Sequence, residues 1–321
     1  MSTFRRILRA AWMLCWVVAP DDYLSAAFPD NSTAHQVACE EIVFAQRVSG
    51  KDHWYGNFGH YSDGHQGHYA PPTTPDSVDY YKYAFGAGGR LCRYNLRTQR
   101  LTVLLDDPDG GVRDPHVHYD GQKLLFSYRR GGTETYHLYE IDSDGTNLRQ
   151  LTDGPDNDIE PIYTPDGSIV FCSSRCRRFV PCWKTQVATL FRCDSDGTNI
   201  RMLSNNAEHE NTPWMLPDGR VLYMRWEYVD RNQLLYHHLW TVNPDGTGLM
   251  VYFGNQHDGL VMIDAKPIPN SNKVIASFSP SHGLPEHMGH ITIVDPSRGP
   301  DDMRMARRIS DALYRDPYPL N

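Results

Sequence analysis

From about residue 40 onward, short apolar runs alternate with turn residues along the chain. One set of runs, Lys123-Leu-Leu-Phe-Ser127, Ser168-Ile-Val-Phe-Cys172 and Arg220-Val-Leu-Tyr-Met224, follows the turns Asp120-Gly121, Pro165-Asp-Gly167 and Pro217-Asp-Gly219. Pro presets one backbone angle of such a turn and Gly accepts the positive φ it needs. After a variable insertion comes a third run: His137-Leu-Tyr-Glu-Ile141, Leu190-Phe-Arg-Cys193 or His238-Leu-Trp-Thr-Val242. A second turn phrase then recurs as Asp142-Ser-Asp-Gly-Thr-Asn-Leu148, Asp194-Ser-Asp-Gly-Thr-Asn-Ile200 and Asn243-Pro-Asp-Gly-Thr-Gly-Leu249. It leads into Leu148-Arg-Gln-Leu151, Ile200-Arg-Met-Leu203 and Leu249-Met-Val-Tyr252. Runs this short between turn signals predict strands rather than helices. The period, roughly 45–52 residues, is that of one four-stranded propeller blade.

The predicted fold is therefore all-β, a β-propeller with blades over about 40–110, 111–154, 157–206, 208–255 and 258–299. The first blade is degenerate: Ile42-Val-Phe-Ala45, Leu91-Cys-Arg-Tyr94 and Leu101-Thr-Val-Leu104 read as strands, and an innermost strand is missing. Residues 309–321 start a further blade, since Arg315-Asp-Pro-Tyr repeats Arg113-Asp-Pro-His. Five visible blades lead us to expect a truncated six-bladed ring. The alternative is a closed five-bladed ring whose missing inner strand comes from Asp316-Pro-Tyr-Pro.

Charge and the N-terminus refine this picture. The 39 acidic and 31 basic residues leave a formal net charge of −8, which argues against nucleic acid as a partner. Arg5, Arg6 and Arg9 precede the apolar stretch Ala10 to Ala19, and Ser25-Ala-Ala27 offers small residues for cleavage. This predicts a signal peptide over 1–27, a linker over 28–39 and a periplasmic or secreted protein. The apolar stretch is too short for a comfortable membrane span, so none is expected after signal removal.

Candidate chemistry concentrates where each innermost strand begins. Polar residues there converge on the central channel: Asp114, Asp158, Glu160, His209, Glu210 and Asp264. Converging carboxylates suit a cation or a polar ligand. Equally, they suit turn capping and bonds to neighbouring backbone. Histidines form two further groups: His53, His60, His65 and His68 in the first insertion, and His257, His282, His287 and His290 in the fifth blade. Imidazole is a common metal ligand, so His257, His287 and His290 are metal candidates, with surface or packing roles as the rival reading. Cys176 and Cys182 bracket Arg177-Arg-Phe-Val-Pro181 and are placed to clip it with a disulfide in an exported protein. The Asp-x-Asp-Gly phrase resembles a calcium loop but lacks a downstream Glu at fixed spacing, so a structural turn is expected. No Cys-x-x-Cys-His, Gly-x-Ser-x-Gly or Gly-rich phosphate loop occurs.

Pro-Asp-Gly plus an apolar strand, closed by Leu151-Thr-Asp-Gly154, resembles the TolB/PD40-type repeat. More specific phrases are Gly111-Val-Arg-Asp-Pro115, Cys172-Ser-Ser-Arg-Cys176, Asn211-Thr-Pro-Trp214, Arg225-Trp-Glu-Tyr228, Tyr236-His-His-Leu-Trp240 and Gly254-Asn-Gln-His257. These resemble the middle propeller domain of the hydrazine synthase alpha subunit family over about residues 40–321. That resemblance implies a secreted multi-subunit haem enzyme making hydrazine from nitric oxide and ammonium, with the propeller flanked by haem-bearing regions. It implies partners among the other domains or subunits of such a complex. Without a haem-attachment sequence, this chain is expected to carry no cofactor itself, and haem enters only with further domains. The leading expectation is a non-catalytic exported scaffold or binding module. The alternatives are a hydrazine-synthase-type enzyme subunit, or a propeller enzyme such as a lyase that uses a divalent metal.

Overall fold

The computed structural model describes residues 39–49, 85–181, 186–229, 231–232, 235–280 and 287–320. Three strands form the first antiparallel sheet: β1 (Glu41–Ser49), β2 (Phe85–Asn95) and β3 (Arg100–Asp107). The next sheet holds β4 (Gly111–Val117), β5 (Lys123–Arg129), β6 (His137–Asp142) and β7 (Arg149–Gln150). The same order recurs in β8 (Asp158–Tyr163), β9 (Ile169–Ser173), β10 (Thr189–Cys193) and β11 (Arg201–Met202). It recurs again in β12 (Glu210–Met215), β13 (Val221–Trp226), β14 (Tyr236–Val242) and β15 (Met250–Phe253), then in β16 (Leu260–Pro267), β17 (Val274–Pro280), β18 (Gly289–Val294) and β19 (Ala306–Tyr314). A short parallel pairing, Tyr236 with Leu260 and His237 with Val261, joins the last two sheets.

These four-stranded sheets are propeller blades, as the turn spacing predicts. Second strands are mostly apolar and buried because both of their faces are covered by neighbouring blades. Every residue of β9 is buried, and β5 is buried from Leu124 to Tyr128. The core accordingly lies between blades. One cluster joins Ile159, Ile162, Val170 and Leu190 to Met215, Val221 and Tyr223 of the next blade. In two blades the outermost strand is short and exposed, two residues each in β7 and β11, which limits the unpaired edge those blades present.

The repeated Asp-x-Asp-Gly phrase has a full structural account. Asp144, Asp196 and Asp245 each accept from the backbone N–H of the Thr two residues on (2.9 Å in all three) and from its hydroxyl. Asn147 and Asn199 adopt left-handed φ of 56° and 54°, and Gly248 takes the same place at 67°. That conformation explains the Asn, Asn, Gly series at this position. The phrase also reaches across blades. Arg93 and Arg192 donate to the carbonyls of Ser143 and Pro244 in the following blade's turn (3.1 and 2.7 Å). Gly197 lies against the carbonyl of Leu151 in the preceding blade, leaving no room for a Cβ.

Gly197→Ala should therefore lose far more stability than Gly167→Ala. Both have positive φ, 88° and 85°, but a Cβ at Gly167 meets open space. The conformational penalty alone is about 1 kcal/mol, and overpacking adds roughly 1–3 kcal/mol at Gly197 only. Urea unfolding of the two variants checks this, and equal losses would refute the inter-blade role.

Candidate functional site

The inner strands β4, β8, β12 and β16 lie side by side around the centre. Each carries a bulge, between Arg113 and His116, Ile159 and Ile162, Asn211 and Trp214, and Ile263 and Lys266. At each bulge one residue is left-handed: Asp114 (φ 55°), Glu160 (53°), Thr212 (53°) and Asp264 (57°). Asp316 repeats the feature at 52°, just beyond β19. Asp tolerates this region, whereas a β-branched Thr enters it only under tertiary compulsion.

The compulsion is a relay of hydrogen bonds. The N–H of Glu160 donates to Asp114 Oδ2 (3.2 Å), and that of Thr212 to Glu160 Oε2 (2.5 Å). The N–H of Asp264 donates to Thr212 Oγ1 (3.1 Å), and that of Asp316 to Asp264 Oδ2 (3.0 Å). Each side chain thus accepts from the left-handed residue of the next blade. Turning the backbone to positive φ aims the freed N–H at its neighbour.

Three cations sit among these carboxylates. Arg113 bonds Asp114 (2.6 Å) and Glu160 (3.2 Å), Arg315 grips both oxygens of Asp264 (3.0 and 3.2 Å), and Lys266 pairs with Asp316. Burial opposes ionisation of Asp264, but the Arg315 charge and hydrogen bond, with Lys266, hold its carboxyl below the usual range. Glu160 goes the other way. Burial and the adjacent Asp114 charge push it up to about 7 against the pull of Arg113.

One layer further along, four of the residues two after a left-handed position, His116, Trp214, Lys266 and Tyr318, meet at the axis. The Trp214 ring lies 4.8 Å from His116 and 5.8 Å from Tyr318 between centroids, with the Lys266 ammonium 5.0 Å from its centre. Burial, then the Lys266 charge, then His118 lower the pKa of His116 to about 3. A neutral imidazole, a tryptophan and a cation–π contact therefore fill the axis beneath the carboxylates.

The sequence-nominated residues fall into separate places. Asp114, Glu160 and Asp264 join the relay. Asp158 and Glu210 start β8 and β12 and stand outside the relay, bonded to arginines of their own blades and, for Glu210, to the preceding blade as well. Asp158 accepts from Ser173 (2.6 Å) and Arg175 (2.7 and 2.9 Å), and Glu210 from Arg225 (2.9 Å), the Leu190 N–H (3.1 Å) and Ser204. His209 stacks on Trp226 (5.9 Å, 16°), which also stacks with His237 (5.0 Å). Burial and nearby His287 depress His209 to about 3. His257 Nε2 lies 2.7 Å from the Asp301 carbonyl, and His290 sits on β18. Among the described residues, no three His, Cys, Asp or Glu side chains gather as a metal would require. Cys176 is a free thiol whose Sγ donates to the Val187 carbonyl (3.1 Å), while Cys182 and His53, His60, His65, His68 and His282 lie outside the described residues. Sequence reading overlooked Thr212 as a relay member and Trp214 as the central side chain. Both sit in the Asn211-Thr-Pro-Trp214 phrase, in register with the carboxylates, which was the available signal.

Blade repetition, inner-strand bulges and a filled axis define a β-propeller. No protein-family model matches the chain. It is similar to the hydrazine synthase subunit alpha of Kuenenia stuttgartiensis, 25% identical over 201 residues, covering 46% of this chain and 24% of that protein. A solved Kuenenia stuttgartiensis hydrazine synthase superposes with a TM-score of 0.69 at 20% identity, over 95% of this chain and 44% of that one. A putative TolB from Agrobacterium tumefaciens shares the fold with a TM-score of 0.53 at 16% identity, over 71% of this chain and 78% of that one. The chain thus shares the propeller fold of these proteins, and it spans about a quarter of the length of the hydrazine synthase subunit it is similar to. Among the described residues, no helix is long and apolar enough to cross a membrane.

Two outcomes follow from the geometry. Thr212→Val keeps shape and β-branching but strips the acceptor from the Asp264 N–H, and should cost about 1–3 kcal/mol in chemical unfolding. A neutral result would remove the relay's structural role. For His116, the unfolded state binds a proton below pH 6.5 while the folded state resists until about 3. Stability is therefore lost as pH falls through that window, by about 1.4 kcal/mol per pH unit. His116→Asn should flatten the acid limb of the stability curve by that slope, and a curve parallel to wild type would contradict it.

Proposed function

We propose that this chain is an exported propeller scaffold, non-catalytic by itself, that presents its channel mouth or a blade edge to other domains, a protein partner or a polar ligand of an extracytoplasmic assembly. The carrying observation is how the inner carboxylates are employed. Asp114, Glu160 and Asp264 take neighbouring backbone N–H groups and guanidinium groups as partners. Carboxylates engaged in this way hold blades together; a general acid or base needs a proton-transfer atom facing substrate. The similarity to a hydrazine synthase subunit supports complex partners and an extracytoplasmic site, as does the basic and apolar pattern of residues 1–27.

A second reading, a hydrazine-synthase-type enzyme subunit, draws on the same relative. Haem would supply the redox chemistry in that case. This chain does not fit covalent haem attachment: its sequence has no Cys-x-x-Cys-His, and Cys92, Cys172 and Cys193 are buried strand thiols. Haem would have to come from additional domains or subunits.

Producing the full chain in a bacterium with active cytochrome c maturation separates the readings. The scaffold reading expects a processed, colourless protein in the periplasm that forms no hydrazine alone. Covalently bound haem or hydrazine production by the purified chain would overturn it, and cytoplasmic retention of the unprocessed chain would overturn export.

A further inference from the structure

Glu208 stands just before β12 and is fully buried, with neither carboxyl oxygen hydrogen-bonded. Facing it is the stem of the insertion between β9 and β10. That stem is held by the Phe179–Gln186 bridge and by the Val187 N–H donating to the Arg178 carbonyl (2.8 Å). It is tied to the β12 entry at Ala188, whose N–H donates to His209 Nδ1 (3.2 Å) and whose carbonyl accepts from the Glu210 N–H (2.9 Å). Arg178 acts electrostatically on Glu208 without forming an ion pair. One of its terminal nitrogens, Nη1, donates to Asn205 Oδ1 (3.0 Å); the other, Nη2, is buried without a partner. Val180 and Val187 of the stem pack on Trp226 and Met224, so movement at this joint reaches the aromatic stack.

A buried carboxyl with neither oxygen bonded, beside a half-buried guanidinium whose Nη2 is also unbonded, is costly unless the arrangement has a second state. We propose that Glu208 and Arg178 form a proton-sensitive joint between the insertion stem and the inner strand β12: while Glu208 is protonated the two stay apart, and on ionisation Arg178 leaves Asn205 to pair with it. A buried carboxylate without a partner costs several kcal/mol, which drives the pairing. Burial raises Glu208 to about 8 against the pull of Arg178, the one charged group acting on it among the described residues. His209 beside it stays neutral, and Arg225 on β13 is occupied by Glu210. The conformational change is therefore set to occur just above neutrality, while stability present in full below about 4.5 is lost progressively as pH rises to about 8.

Hydrogen–deuterium exchange over residues 174–190 of the full chain, corrected for intrinsic base catalysis and read from pH 6 to 10, tests this. Wild type should show a protection step centred near pH 8. Glu208→Gln, close in shape and never charged, should abolish the step and raise the melting temperature at pH 6, because folding no longer requires proton uptake at this site. Arg178→Gln should move the midpoint upward, because the charge that eases ionisation is gone. A step that persists in Glu208→Gln, a midpoint unmoved in Arg178→Gln, or a featureless wild-type profile would overturn the proposal.

Discussion

A backbone N–H turned out of its own strand must find an acceptor, and in this propeller the acceptor belongs to the previous blade. Four such bonds, running from Asp114 through Glu160, Thr212 and Asp264 to Asp316, link the inner strands side chain to backbone. A non-glycine residue at positive φ costs of order 1 kcal/mol or more. The chain sustains that cost at every inner strand because a buried, unpaired donor would cost as much again. Inner bulge, left-handed residue and carboxylate are thus one device.

The same economy governs the outer turns. There the Asp of each Asp-Gly-Thr phrase serves its own turn, while the Gly permits contact with the blade before it. Blades are therefore bonded to their neighbours at both ends of the strands, with apolar clusters between. Beside the stem of the insertion between β9 and β10, the buried His209–Trp226–His237 stack stands next to Glu208.

Architecture was largely legible in the sequence, because turn chemistry repeats at fixed spacing and apolar runs have strand length. The turn phrase even carried its αL position in the series Asn147, Asn199, Gly248. The inner site was half legible. Prolines marked where Asp114, Glu160 and Thr212 stand, but nothing local says that a carboxylate will accept from a neighbouring blade. Asp158 and Glu210, two residues earlier, look equivalent in sequence. The bulge places them elsewhere, against Arg175 and Arg225 of their own blades. Glu208 was invisible, since burial of a lone glutamate is decided by tertiary packing.

The central claim is that the inner carboxylates bind blade to blade. A double-mutant cycle of Asp264→Asn and Arg315→Gln, read by equilibrium unfolding, tests it most directly because the pair joins the inner strand β16 to the segment that follows β19. Groups in contact within one network couple by about 0.5–3 kcal/mol. We predict a coupling of at least about 1 kcal/mol; additivity within about 0.3 kcal/mol would mean that the relay is decoration and the blades are held by apolar packing alone.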